Sequence, residues 1–188
     1  MSATAVVREA TPADAPAIAR AHVASWRATY PGIVPRQVLE RLSIERREAY
    51  WRETTAHPGD LRVWVIEADG RVVGFASAGP CRDEDQPAGT GEVYAIYLEP
   101  DAWGRGLGRT LFEHTVADLR ARGFDRLVLW VLTDNQRGRQ FYDRQAWRPE
   151  GGARELDFDG TQIEERRYVA PPAGEPTAAR RTSRTIAR

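Results

Sequence analysis

The sequence predicts a single-domain α/β fold, and three observations carry that expectation. Short β-branched and aromatic runs alternate with segments of helical spacing along residues 6–169. The dipeptide Asp69-Gly70 separates two apolar runs, the signature of a two-residue hairpin turn. Residues 92–98 read as a strand and pass through Pro100 and three alternating glycines into a helical segment. A length of 188 residues suits one domain with a substantial core.

In chain order, Val6 and Val7 open a strand, and Thr11-Pro12-Ala13-Asp14 supplies a helix start with Thr11 as N-cap and Asp14 in the capping-box place. That helix runs through Ile18, His22, Val23 and Trp26 to Tyr30, where Pro31-Gly32 stops it. Pro35 and Ser43 each open a further helical piece that turns Val38, Leu39, Leu42, Tyr50 and Trp51 inward. Residues 61–68 and 71–78 form the hairpin about Asp69-Gly70. Residues 81–91 are polar, acidic and contain Gly and Pro, so they read as a loop, and 92–98 returns to strand chemistry. Residues 107–122 carry Leu107, Leu111, Phe112, Val116 and Leu119 at helical spacing, with Gly123 as the C-terminal stop. The continuous apolar run 126–132 suits a central strand buried on both faces. Residues 135–145 read as a helix ending near Phe141 and Tyr142, and 156–169 as a last hairpin about Asp159-Gly160. From Ala170 on, prolines, small residues and four arginines replace apolar periodicity, so the domain is expected to span 1–169 and the tail 170–188 to be disordered.

Composition removes whole function classes. The 27 basic and 27 acidic residues cancel, leaving no global field for nucleic acid or an anionic membrane. Every basic residue is arginine, so a Schiff-base lysine, a pyridoxal-phosphate lysine and a lysine-bearing P-loop are all excluded. One cysteine, Cys81, forms neither a disulfide framework nor a multi-cysteine metal site. His57 and His114 lack spaced partners. No apolar stretch approaches the roughly 20 residues that span a bilayer, and charged Arg8 and Glu9 sit where a signal peptide places its apolar region, so a cytoplasmic protein is expected.

The most informative segment is 93–111. Gly104, Gly106 and Gly108 let backbone N–H groups approach an anion closely, and the following helix N-terminus adds about half a positive charge. Arg105 and Arg109 can add charge-assisted contacts. The pattern suits a pyrophosphate, although a Gly-rich turn joining a strand to a helix reads equally well from the glycines alone. A dinucleotide-binding reading is weaker, because the glycines do not follow the first strand.

This block resembles motif A of the GCN5-related N-acetyltransferase superfamily, an Arg or Gln, two residues, Gly, one residue, then Gly or Ala. It falls on Trp103 to Gly108, with Trp103 in the place of Arg or Gln. The segment 132–147 resembles the superfamily's later motif: a strand, a helix led by Asn135, then Phe141-Tyr142, with Ala146-Trp147 in place of Gly-Phe. The resemblance extends over roughly residues 4–169 and is strongest over 92–147. It implies a mixed, largely antiparallel central sheet of about seven strands, helices on both faces, and a split near the two motifs.

Acetyl transfer from a thioester to an amine needs a neutral amine, a stabilised oxyanion and a proton for the departing thiolate. The resemblance assigns these roles to the residues that match. The backbone N–H of Leu98 meets the thioester carbonyl, and Ile96 and Tyr97 line the acyl channel. Trp103, Gly104, Arg105, Gly106, Leu107, Gly108, Arg109 and Thr110 cradle the coenzyme. Asn135 bonds the pantetheine arm while capping its helix. Tyr142 is the general acid, its alternative being a packed tyrosine at a helix end. Glu92 is the general base and an acceptor contact, with a water chain as its rival. Strand alternation would set Glu92, Tyr94, Ile96 and Leu98 on one face. Trp26 and Tyr30 recur with His22 on one helix face, which reads as a core stripe or as the wall of the acceptor site.

The expected function is therefore acetyl-CoA-dependent N-acetylation of a small-molecule amine, with acetyl-CoA as cosubstrate and no metal. The acidic loop Asp83-Glu84-Asp85 suits a cationic acceptor. Protein N-terminal or lysine amines are one alternative, and a non-catalytic acyl-CoA-binding module is another. No nucleic-acid or membrane partner is expected, and the chain is expected to be a monomer or homodimer.

Overall fold

The computed structural model describes residues 5–172. Seven strands form one sheet: β1 (Val6–Glu9), β2 (Arg62–Ala68), β3 (Arg71–Pro80), β4 (Thr90–Leu98), β5 (Arg126–Leu132), β6 (Arg148–Phe158) and β7 (Thr161–Val169), in the spatial order β1-β2-β3-β4-β5-β7-β6. All neighbours are antiparallel except β4 and β5. Helices α1 (Ala15–Thr29), α2 (Arg36–Glu40) and α3 (Ile44–Ala56) precede β2, α4 (Leu107–Ala121) joins β4 to β5, and α5 (Gln136–Arg144) follows β5. The expected mixed, largely antiparallel seven-stranded sheet with helices on both faces is the fold observed.

The two layers are separate apolar cores. On one face, Ala15, Ile18 and Ala21 of α1 and Trp51 of α3 pack on Val63, Val65, Val72 and Phe75. On the other, Leu107 and Leu111 of α4 meet Ile66, Val73, Ala76 and Leu98, while Phe112 and Leu119 meet Val93, Leu127 and Leu129. Full burial of each Val, Leu, Ile or Phe among them contributes about 1.5–3 kcal/mol relative to exposure.

Local chemistry sets the element ends. Asp14 accepts from the Thr11 N–H at 2.8 Å, but Pro12–Asp14 is a 3-10 turn, so the first helix begins at Ala15 rather than beside the cap. Asp69 and Gly70 both hold positive φ, 54° and 76°, the requirement of the tight hairpin between β2 and β3. The last hairpin starts at Arg148, well before the expected Leu156, because β6 is an edge strand with mostly exposed residues and no apolar alternation to announce it. The sheet closes at Val169, and Ala170 N–H still donates to Leu127 O at 2.9 Å. The disorder expected for the tail falls largely on residues 173–188, which lie outside the described residues. Among the described residues, no helix is long and apolar enough to cross a membrane.

Two irregularities of β4 position everything that follows. Ser77 opposes Ala95 and Ala78 opposes Val93, so Tyr94 is one extra residue, a bulge. In addition β4 and β5 pair only from Thr90–Arg126 to Val93–Leu129, and beyond that the strands part.

Candidate active site

The parting of β4 and β5 opens a cleft of about 950 Å³ that runs from the glycine turn to the β6–β7 hairpin. One end is an anion cradle. Gly104 and Gly106 hold φ of +74° and +81°, a conformation that side chains other than glycine rarely adopt, and a Cβ at either would project into open space. Thr110 N–H bonds Gly106 O at 3.1 Å, so the N–H groups of Leu107, Gly108 and Arg109 ahead of it have no intrahelical partner. Gly108 serves differently: a Cβ there would touch Leu98 and Phe141 at ordinary contact distance. These free donors, an unobstructed approach and the helix dipole fit the pyrophosphate of coenzyme A.

The side chains of this turn divide. Leu107 is buried in the α4 core, and only its N–H belongs to the cradle. Arg105 pairs with Asp69 and Arg109 with Glu113, each at 2.8 Å, and Thr110 is exposed with its hydroxyl turned to Gly106 O. Arg109 alone of these three lines the cleft. Trp103 donates its indole N–H to Leu98 O at 3.0 Å, which ties the turn to the end of β4. Arg137 of α5 lies over the Trp103 ring, 3.5 Å from its centroid, and burial lowers its pKa. Sequence reasoning gave Arg137 no role, because nothing in the spacing links it to Trp103.

Leu98 turns its backbone into the split. Glu99 N–H donates across to Val73 O at 2.8 Å, and alternation along a strand then points the N–H and C=O of Leu98 the other way. The Leu98 side chain packs against α4, whereas Tyr97 faces α1 and stacks on His22 at 5.1 Å.

The bulge at Tyr94 corrects one expectation. Val93, Ile96 and Leu98 share the α4 face, and Glu92 shares the opposite face with Ala95 and Tyr97. Simple alternation from Glu92 to Leu98 fails because the extra residue reverses the pattern. Glu92 is only 1% exposed, and its carboxylate accepts three hydrogen bonds from Arg82: the backbone N–H at 3.1 Å, Nε at 3.2 Å and Nη2 at 2.5 Å. Glu92 lines the cleft, but its carboxylate oxygens are already held.

The middle of the cleft is phenolic. Tyr142 of α5 packs against Phe112 and Tyr168, and Asn135 caps its helix by accepting from Gly138 N–H at 2.9 Å. Burial pushes the hydroxyls of Tyr30, Tyr97 and Tyr142 above the ordinary tyrosine value. Tyr30 is buried and Trp26 meets it edge-on at 4.9 Å, both lining the cleft, while His22 lies beneath them in the core. The first helix therefore serves as core at His22 and as cleft wall at Trp26 and Tyr30.

At the far end, Glu165 of β7 and Arg154 of β6 join the lining, residues that sequence reasoning did not single out. Glu165 Oε1 accepts from Arg154 Nε at 2.6 Å, and burial raises the carboxyl's pKa. Arg154 stacks over Trp130 at 3.8 Å, and Trp130 donates to Asp83 at 2.8 Å.

Known proteins resemble this chain in sequence and in fold. The acetyltransferase (GNAT) family model matches residues 22–147. YuaI, an uncharacterised N-acetyltransferase of Bacillus subtilis (strain 168), is 37% identical over 161 residues, 85% of this chain and 88% of that protein. A mycothiol acetyltransferase of Beutenbergia cavernae is 38% identical over 87 residues, 46% of this chain and 28% of that protein. The structure of PaiA N-acetyltransferase from Thermoplasma acidophilum in complex with coenzyme A shares the fold, with TM-score 0.63 at 21% identity over 87% of this chain and 98% of that one.

Proposed function

Because the chain belongs to the acetyltransferase (GNAT) family, we propose that it transfers an acetyl group from acetyl-CoA directly to the primary amine of a small molecule. The observation that carries this reading is the strand split, which gathers the glycine cradle, the Leu98 N–H and Tyr142 along one cleft.

Acetyl-CoA supplies an activated acyl thioester. The N–H groups at the start of α4 would hold its pyrophosphate, Arg137, which has no ion pair among the described residues, would add charge beside it, and Asn135 would fix α5 along the coenzyme's arm. The Leu98 N–H points where negative charge develops on the acyl oxygen, a contribution of about 2.7–4 kcal/mol for one well-placed donor. Tyr142, on the cleft wall, would stand toward the thioester sulfur. Its hydroxyl, protonated at neutral pH, would donate a hydrogen bond to the sulfur and then the proton itself; burial raises its pKa and so makes that transfer more uphill than from an ordinary phenol.

Thiol release from acetyl-CoA across an amine panel tests this reading. Turnover with a small amine supports it. Tight acetyl-CoA binding with no thiol release for any amine would instead describe an acyl-CoA-binding module.

A further inference from the structure

We infer that Glu165 seats the ammonium of the acceptor and takes its proton, so that the acceptor is a primary amine on an apolar or aromatic body with no carboxylate beside the nitrogen. This rests on the acetyl-transfer reading above and names the substrate class of the same cleft.

Glu92 and Glu165 line the acceptor end and Asp83 lies close to Glu165, and two of the three are spent. Glu92 is held by the three bonds from Arg82. Asp83 accepts from Trp130, Arg154 and Arg167. Glu165 differs: Arg154 holds Oε1, and Oε2 accepts no hydrogen bond among the described residues. Glu165 is 7% exposed, lines the cleft, and sits opposite Leu132 on β5, where the split is open. One oxygen is thus fixed by a guanidinium and the other is left for a donor. The groups around it are Arg154 of β6, Asp83 of the β3–β4 loop, Glu92 and Tyr97 of β4 and Tyr30, which follows α1. Burial first, then the nearby Glu92 and Asp83, raise its proton affinity against the pull of Arg154, which suits a base.

The remaining walls define the body of the acceptor. Trp26, Tyr30, Leu156 and Phe158 are apolar or aromatic, with Trp26 and Phe158 ring centres 6.4 Å apart. Arg82 and Arg154, the two arginines that bond the carboxylates at this end, are both balanced by them, so an amino-acid carboxylate beside the reacting nitrogen would meet Glu165 with neither of these cations free to offset it.

The step balances. The ammonium gives one proton to Glu165 Oε2, and the freed lone pair forms the C–N bond as the thioester C–S bond breaks. The thiolate takes the Tyr142 proton, the second proton on nitrogen restores Tyr142, and Glu165 returns its proton to water.

The test uses the full chain with acetyl-CoA and two acceptors, tyramine and tyrosine. Wild type should favour tyramine by about 10²-fold in kcat/KM, and equal use of both, or preference for tyrosine, would overturn the substrate class. Glu165→Gln should lower kcat/KM for tyramine by about 10²-fold or more and remove the acid limb of the pH profile, with acetyl-CoA affinity unchanged. Glu165→Asp, which keeps the charge, should restore that limb and serves if the Gln variant fails to fold. A wild-type acid limb in folded Glu165→Gln would overturn the role of this carboxylate. Absence of thiol release by wild type with every amine would instead overturn the acetyl-transfer reading, and this inference with it.

Discussion

The guanidinium of Arg137 lies 3.5 Å from the ring centroid of Trp103, and the same indole holds Leu98 O at 3.0 Å through its N–H. One side chain thus connects a cation from α5 to the strand end that presents the Leu98 N–H. Trp103→Phe keeps a ring under Arg137 and deletes the hydrogen bond. A loss of about 0.5–1.5 kcal/mol in kcat/KM is expected, with acetyl-CoA affinity nearly constant. Arg137→Gln should do the reverse, weakening acetyl-CoA binding by about 0.5–2 kcal/mol in a salt-dependent way, as calorimetry at two ionic strengths would show.

Gly106 holds φ of +81°, and a Cβ there meets nothing. Gly106→Ala should therefore cost only the backbone strain, about 1–2 kcal/mol of stability. Gly106→Asp adds a carboxylate to an anion cradle and should abolish acetyl-CoA binding in a protein that still folds. Unchanged affinity in folded Gly106→Asp would remove the cradle from the reading.

Tyr142→Phe keeps the ring against Phe112 and Tyr168 and deletes the proton donor. The expected fall in kcat is about 10² to 10⁴, with acetyl-CoA affinity moved by no more than one hydrogen bond. A packing tyrosine would behave oppositely, lowering the melting temperature and leaving turnover of the folded fraction intact.

Glu92→Gln breaks a charged network in which the carboxylate is buried and Arg82 is largely exposed. Stability should fall by about 1–3 kcal/mol while the acid limb of the rate profile stays in place. Loss of that limb in Glu92→Gln would return the base to Glu92.

His22 accepts from Trp51 Nε1–H through Nδ1 at 3.3 Å, and burial, aided by Arg47, depresses its pKa to about 3. The unfolded chain binds a proton at about 6.5, so this residue's contribution is intact above that pH and lost progressively as pH falls from 6.5 toward 3. The slope is up to about 1.4 kcal/mol per pH unit. Urea midpoints at pH 7, 6 and 5 should fall more steeply for wild type than for His22→Gln.

What the sequence made legible follows from where apolar contrast is strong. β5, buried on both faces, and α4, with its stripe from Leu107 to Leu119, were readable because burial demands those residues. β6 was legible only from Leu156 on, since an edge strand needs no apolar face. The Tyr94 bulge left no mark because one inserted residue changes no composition, yet it moves Glu92 and Ile96 to opposite faces. The glycine turn announced itself through conformational need. Glu165 did not: its placement depends on β7 lying between β5 and β6, a long-range register that no local window contains.

The ion pairs that tie the cleft walls and layers together, Arg8 to Asp14, Arg82 to Glu92, Arg154 to Glu165 and Arg167 to Asp83, are all guanidinium pairs in a chain without lysine. A guanidinium remains protonated across the physiological range and offers no lone pair for acylation. An amine in any of these places would be open to acylation once deprotonated, and each such event would erase a charge that holds two elements together. The scaffold is in this sense inert toward the reagent it holds, and prolonged exposure to acyl thioesters leaves its electrostatic framework intact.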